Sequence, residues 1–176
     1  MSYEQLWAPW RLGYIVGSAP KDATPKRDLS WLEGADHECF LCRSAADLEG
    51  SRTLTPWHGL HAIVVLNRYP YANGHLLVAP RNHKARLDDV STEEHLQMMQ
   101  TITRVTGVLE RLMNCEGFNI GLNVGKVAGA GVPGHLHWHV VPRWSGDTNF
   151  MPVLASTSVI PQSLEALFAM LQEELA

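Results

Sequence analysis

Two short apolar runs joined by a turn constrain the fold of this chain more than any other feature. The runs span residues 61–67 and 74–80, and both are rich in the aliphatic and β-branched side chains that favour strands. Between them lie Pro70 and an Asn73-Gly74 pair, which are turn signals. The two runs therefore predict a pair of antiparallel strands.

A long amphipathic helix is expected after this strand pair. Ser91 and Glu94 have the spacing of a capping box, and apolar residues follow at helical intervals as far as Asn114. The apolar stripe expected on this helix consists of Leu96, Met99, Thr103, Thr106, Leu109 and Met113.

Two further strands and a last helix complete the expected elements. The strands are expected at residues 117–124 and 135–142, and Pro161 is expected to open the C-terminal helix. Strands, one long helix and strands again, without βαβ alternation, predict an α+β fold with an antiparallel sheet.

Composition limits the classes of protein that fit this pattern. The chain has 176 residues, of which 45% are hydrophobic and 18% charged, so one domain with a sizeable core is expected. A formal net charge of -4 offers no general attraction for nucleic acid or an anionic membrane. No apolar run approaches the ~20 residues of a membrane span, and the first residues lack the pattern of a secretory signal. We expect a cytoplasmic protein that holds any anionic ligand locally.

The cysteines suggest metal or redox chemistry. Three cysteines do not form a secreted disulfide framework, but Cys39 and Cys42 form a Cys-x-x-Cys pair. Such a pair is half of a tetrahedral zinc site, and a redox dithiol is its rival. The thioredoxin-like alternative requires a βαβ context that this sequence does not offer.

Three alternating histidines form the most distinctive motif. On a strand, His135, His137 and His139 would share one face, with Leu136 and Trp138 on the other. Neighbouring imidazoles of this kind originate ~6.6 Å apart, so one pair could bind a metal. Alternatively, the central imidazole is a nucleophile flanked by histidines that orient it, contact an anion and move protons. The residues alone leave both readings open.

The histidine strand resembles the motif of the histidine triad (HIT) family of nucleotide-binding hydrolases and transferases. Asn67 on one strand and Gly74-His75 on the next are similar to a second signature of that family. The resemblance covers residues 39–144, and the flanks are similar to a longer bacterial branch described as diadenosine tetraphosphate phosphorylases or hydrolases.

The resemblance implies a role for each matching residue. His137 would attack the α-phosphorus of a nucleoside phosphate derivative and become transiently nucleotidylated. His139 would lie on the side of the phosphate and leaving group. Asn67 would bind the ribose, and His75 would support the triad through hydrogen bonds.

A glycine-rich segment at residues 121–134 precedes the triad and would let backbone N–H groups approach a phosphate. Many family members carry Gln and Ser or Thr shortly before the first histidine, whereas this chain has Gly131 and Val132. Backbone groups there, together with Asn123 and Lys126, are therefore expected to contact the nucleotide.

The resemblance also implies a metal site. His83 and His135 match the positions that complete a Cys₂His₂ zinc site with Cys39 and Cys42 in zinc-bearing relatives. Four protein ligands leave no position for water, so this zinc would be structural.

The sequence therefore predicts an α+β HIT-like domain with about five antiparallel strands, a long covering helix and a C-terminal helix. The expected divisions are an N-terminal extension (1–38) that packs on the domain or a dimer partner, the HIT domain (39–145), and a tail with a helix (146–176). We expect a homodimeric enzyme that hydrolyses or phosphorolyses a nucleotide phosphoanhydride through a nucleotidyl-histidine. The alternatives are a metal-dependent hydrolase with triad histidines as ligands, and a nucleotide-binding module without turnover.

Overall fold

The computed structural model describes residues 29–148 and 160–176. The helices are α1 (Phe40–Ala46), α2 (Thr92–Met113) and α3 (Leu164–Glu174), with short 3-10 turns at Leu87–Asp89 and Lys126–Ala128. The strands are β1 (Trp57–His58), β2 (Ala62–Leu66), β3 (Leu76–Pro80), β4 (Gly117–Leu122) and β5 (Trp138–Arg143). They form one antiparallel sheet in the order β1-β2-β3-β5-β4. Most of the expected N-terminal extension, residues 1–28, lies outside the described residues.

Both faces of the central strands are covered, which explains why β2 and β3 are apolar at every position. Every residue of these two strands is buried. One face packs against α2 and α3 in the main core, and Ile63, Val65, Leu77 and Ala79 pack on the other face against the segment around α1. The predicted pair is confirmed, with Leu66 opposite Leu76 beside the turn.

Helix α2 begins as predicted but presents a different stripe to the sheet. Ser91 caps it and forms the reciprocal capping box with Glu94. Of the predicted stripe, Leu109 is buried and Met113 packs against the core, but the prediction is wrong for Leu96 and Met99, which are exposed. The buried positions are Glu94, Met98, Thr101, Ile102, Val105, Val108 and Leu109. The apolar members of this buried stripe lie in the main core, where burial removes their surface from water.

Several boundaries differ from the predicted ones. The ladder of β5 begins at Trp138, so the first two triad histidines precede the strand, and β4 ends at Leu122. The C-terminal helix begins at Leu164 with Ser163 as its N-cap, three residues after Pro161. The two-residue strand β1 and the short helix α1 were not predicted from the sequence.

The α+β fold with a five-stranded antiparallel sheet is confirmed, with α2 covering it and α3 packed in the same core. Leu167 and Leu171 of α3 are fully buried there. Among the described residues, no helix combines the length and apolar character that crossing a membrane requires.

Candidate active site and metal centre

The register of β3 and β5 brings two histidines together. Leu77 pairs with His139, and residues opposite each other in an antiparallel ladder share a face. His75, two residues before Leu77, shares that face and lies diagonally across from His139. The His75 and His139 rings are consequently neighbours, with centroids 5.2 Å apart. Leu136 and Val140 point to the main core, as the alternating pattern predicts.

The backbone fixes the tautomer of His137. Its Nδ1 lies 2.8 Å from the carbonyl oxygen of His135. A carbonyl oxygen only accepts, so Nδ1 carries the proton and Nε2 carries the lone pair. Burial lowers the pKa of His137, an effect that the hydrogen bond to His135 partly opposes. His137 is therefore held as a neutral imidazole whose Nε2 can act as a nucleophile.

A chain of hydrogen bonds fixes the opposite tautomer in His139. The backbone N–H of Tyr71 donates to His75 Nδ1 at 3.1 Å, so His75 carries its proton on Nε2. That Nε2–H then donates to His139 Nδ1 at 2.9 Å. The proton of a neutral His139 is consequently on Nε2, where it can donate to a phosphate oxygen. The His137 and His139 rings meet edge-on, with centroids 5.1 Å apart.

Asn67 lies in the same cluster. The N–H of Tyr69 donates to its side-chain oxygen at 2.9 Å, which turns the amide nitrogen toward His75. That nitrogen lies 3.3 Å from His75 Nδ1. The two family signatures that the sequence analysis linked to one function therefore meet in space.

Four predicted metal ligands converge on one point. The ligand atoms of Cys39, Cys42, His83 and His135 all lie within 4.8 Å of one another. His135 Nδ1 is 3.5 Å from each sulfur, and His83 Nδ1 is 3.2 Å from Cys42 Sγ. In a tetrahedral zinc site with the usual bond lengths, sulfur and nitrogen ligands are about 3.5 Å apart. The cluster therefore fits a zinc ion.

The surroundings of these ligands also suit a metal. His135 Nε2 donates to the carbonyl of Pro80 at 2.8 Å, which leaves the Nδ1 lone pair facing the sulfurs. Burial lowers the pKa of His135 to about 4 and raises that of Cys42 to about 12. Neutral imidazoles are the form that binds metal, and a cation would take the place of the thiol proton. A side chain on Gly134 would begin 3.0 Å from His83 Nε2, so glycine allows this close approach.

The predicted nucleotide contacts on the glycine-rich segment lie beside the triad in chain order. The β4–β5 ladder ends at Leu122 opposite Trp138. Just beyond this last pair lie Asn123, which follows β4, and His137, which precedes β5. Lys126 and Gly131 are exposed, and Val132 packs against the apolar cluster around α1. Among the described contacts, neither the Asn123 nor the Lys126 side chain forms a hydrogen bond with the triad.

Sequence reasoning missed three contributors to the site. Tyr71 stacks on His75 with ring centroids 4.8 Å apart, and the Pro80 carbonyl orients His135. The Lys84 carbonyl accepts the N–H of Leu136 at 2.7 Å. Two of these contacts use backbone carbonyls, which have no sequence signature. Tyr71 was visible only as part of a turn.

Comparisons with known proteins show which family this chain belongs to. The model of the HIT domain family matches residues 58–146. An AP-4-A phosphorylase of Mycobacterium tuberculosis is 35% identical over 173 residues, which cover 98% of this chain and 85% of that protein. An asymmetrical bis(5'-nucleosyl)-tetraphosphatase of Schizosaccharomyces pombe is 34% identical over 47% of this chain and 44% of its own length.

A solved structure shares the fold. The Zn-bound histidine triad family protein of Mycobacterium smegmatis superposes with a TM-score of 0.57 at 26% identity, over 69% of this chain and 83% of its own. The domain match covers half of the chain, and the match to the Mycobacterium tuberculosis relative covers nearly all of it. The chain therefore belongs to the histidine triad (HIT) family.

Proposed function

We propose that this protein cleaves a phosphoanhydride bond of a dinucleoside polyphosphate, such as diadenosine tetraphosphate, through a nucleotidyl intermediate on His137. The observation that carries this proposal is the hydrogen bond from His137 Nδ1–H to the His135 carbonyl, which leaves Nε2 as the nucleophilic atom. The names of relatives support the substrate class, since one is an AP-4-A phosphorylase and another a bis(5'-nucleosyl)-tetraphosphatase.

The proposed reaction has two displacements. His137 Nε2 attacks the α-phosphorus, and the bond to the bridging oxygen breaks as the nucleoside polyphosphate leaves. The Nε2–H of His139 donates a hydrogen bond to the oxygen that gains charge. Water or inorganic phosphate then attacks the same phosphorus and releases His137, giving a nucleoside monophosphate or a nucleoside diphosphate. Asn67 is proposed to contact the ribose.

The phosphates are proposed to lie against the glycine-rich segment. With a net charge of -4, the chain must hold an anion through local donors. Backbone N–H groups at Gly131 and Val132 and the side chains of Asn123 and Lys126 are the proposed donors. Lys126 is exposed at the start of a 3-10 turn, and no acidic side chain lies in that turn.

We also propose that the ion at Cys39, Cys42, His83 and His135 is zinc with a structural role. Thiolate and imidazole ligands favour zinc over magnesium or calcium. The Zn-bound relative of Mycobacterium smegmatis supports this choice. Zinc would supply a cross-link between the segment around α1 and the histidine strand, and its four protein ligands leave no position for a reacting water.

Product analysis tests the proposed function. The protein would be incubated with dinucleoside polyphosphates of increasing length and with adenylated amines, with and without inorganic phosphate. A nucleoside diphosphate formed only with phosphate indicates a phosphorylase, and a monophosphate formed without it indicates a hydrolase. Binding without product over long incubation would contradict the proposal and favour a nucleotide-binding module.

The geometry gives less support to a metal-dependent hydrolase. Among residues 29–148 and 160–176, the only group of three or more potential ligands within reach of one ion is the Cys₂His₂ cluster. His137 and His139 do not belong to such a group, and one nitrogen of each is already engaged by protein.

We propose in addition that the protein is a cytoplasmic homodimer that pairs near β4. This strand is at the edge of the sheet, and Ile120, Val124 and Val127 are exposed on it or just after it. Exposed apolar side chains beside an open edge favour association. Sedimentation of Ile120→Lys should give a lighter species than the wild type, with Leu48→Lys as an exposed control. Equal masses for all three would contradict the interface.

The cysteines support the proposed cytoplasmic location. Cys39 and Cys42 are both free thiols, and a reducing compartment maintains thiols in that state.

A further inference from the structure

One peptide unit between the metal ligand and the proposed nucleophile is held at both ends. The carbonyl of His135 accepts the His137 Nδ1–H at 2.8 Å, and the N–H of Leu136 donates to the Lys84 carbonyl at 2.7 Å. Both groups belong to the same planar trans unit, in which C=O and N–H point in opposite directions. The position of the Lys84 carbonyl therefore determines how the His135 oxygen meets the His137 ring.

Lys84 is itself held by a partly buried ion pair. Its Nζ lies 2.6 Å from Glu94 Oε2, and Glu94 is only 4% exposed. The N–H of Ser91 donates to the same carboxylate oxygen at 2.7 Å, which ties Glu94 to the first turn of α2. A carboxylate so deeply buried is retained only with such partners. The pair thus anchors the loop that carries the Lys84 carbonyl to helix α2.

A second ion pair in the same loop has no such connection. Arg86 and Asp88 lie 2.8 Å apart, but both side chains are more than two thirds exposed, at 69% and 68%. Pairs in this setting contribute little to stability or geometry. Arg86 therefore offers a matched control for Lys84.

We propose that Lys84 and Glu94 are positioning residues for His137. Their ion pair holds the Lys84 carbonyl in place, and this carbonyl orients the His135–Leu136 peptide. The peptide in turn fixes the rotation and tautomer of His137, the proposed nucleophile. This inference rests on the proposed function, in which His137 Nε2 attacks phosphorus. Small displacements of a reacting atom lower the rate of the chemical step far more than they lower substrate affinity.

The test compares Lys84→Met, Glu94→Gln and the double variant with Arg86→Met and the wild type. Steady-state kinetics would be measured on diadenosine tetraphosphate, together with zinc content and the melting temperature. We expect kcat of Lys84→Met and Glu94→Gln to fall about 10- to 100-fold with KM changed less than about twofold. Because the two residues act as a unit, the double variant should be no slower than the slower single one. Lys84→Arg should restore most of the rate, and zinc content should stay the same in all.

A spectroscopic readout separates positioning from a general loss of stability. The His137 Nδ1–H proton, identified by its absence in His137→Asn, should give a downfield NMR signal in the wild type and Arg86→Met. That signal should shift or broaden in Lys84→Met. Unchanged kcat and an unchanged signal in a folded Lys84→Met would overturn the inference, as would equal losses in Arg86→Met.

The outcomes distinguish this inference from the proposed function. If the wild type cleaves no dinucleoside polyphosphate, the proposed function fails. If the wild type and Lys84→Met cleave it equally fast, only the positioning role fails. Should Glu94→Gln not fold, Lys84→Met decides alone, since its side chain is 24% exposed and Met keeps the apolar stem.

Discussion

The metal cluster and the triad site use neighbouring histidines of one segment in opposite ways. His135 donates from Nε2 to the Pro80 carbonyl and directs Nδ1 at two thiols, whereas His137 donates from Nδ1 to the His135 carbonyl and keeps its lone pair on Nε2. Both rings are buried, and burial lowers both pKa values. The difference therefore arises from which nitrogen a backbone carbonyl engages. One ring thus presents a lone pair to the thiols, as a metal ligand would, and the other presents Nε2, as the proposed nucleophile would.

The largest expected effect separates the chemistry of the two regions. His137→Asn keeps a polar side chain but removes the nucleophilic nitrogen, so turnover should fall by about 10³-fold or more while nucleotide affinity is largely retained. Steady-state kinetics and equilibrium binding check this together. Zinc content should not change, because His137 lies outside the Cys₂His₂ cluster. A parallel loss of affinity would mean that His137 mainly binds substrate.

Removal of a metal ligand should affect stability before chemistry. Cys42→Ser should lose zinc and lower the free energy of unfolding by about 3 kcal/mol, because the binding free energy of a closed site is part of the folding free energy. The melting temperature would then drop by about 10 °C. Cys115→Ser, outside the cluster, is the control. Full stability of Cys42→Ser, or a Cys39–Cys42 disulfide in purified protein, would contradict a structural metal.

The loss of rate on replacing His139 should be larger for a poor leaving group than for a good one. His139→Ala removes the Nε2–H donor, so cleavage should slow about 10-fold for a polyphosphate leaving group and about 100-fold or more for a poor one such as an amine. Parallel kinetics on diadenosine tetraphosphate and an adenylated amine measure the ratio. Equal losses on both substrates would argue that His139 only orients its neighbours.

The smallest expected effect concerns the stability of the protein at acidic pH. Burial acts to raise the pKa of Glu94, but hydrogen bonds from Lys84 and the Ser91 backbone outweigh it, and the net shift is downward. A lowered pKa in the folded state adds stability above the ordinary glutamate value of 4.5, and this is lost as pH falls through the folded-state pKa. Unfolding measured from pH 6 to 3 should therefore show a shallower acid dependence for Glu94→Gln than for the wild type. Identical slopes would contradict this.

Much of the arrangement was predictable from the sequence because it depends on side chains at fixed spacing. The alternation at residues 135–139 separates the histidines from the apolar residues that face the core. The capping box at Ser91 locates the start of α2. The spacing of Cys39 and Cys42 predicts half of a metal site, whereas His83 and His135 complete it only through the family resemblance. The homodimer, the domain divisions and the roles of individual site residues remain predictions.

What the sequence did not predict depends on the backbone and on competing patterns. Helix α2 carries apolar residues on more than one side, and only packing against the sheet selects the stripe through Met98 and Ile102. The ladder of β5 starts late because the His135 N–H bonds to the Val132 carbonyl in a turn. The tautomers follow from carbonyls at Pro80 and His135, which any residue type would supply.

The site of covalent attachment tests this account most directly. Rapid quench of the wild type with labelled diadenosine tetraphosphate, followed by peptide mapping under conditions that preserve acid-labile bonds, would locate the nucleotidyl group. The account predicts a transient adduct on Nε2 of His137 and net retention at phosphorus. An adduct on another nitrogen, or net inversion with no adduct, would contradict it.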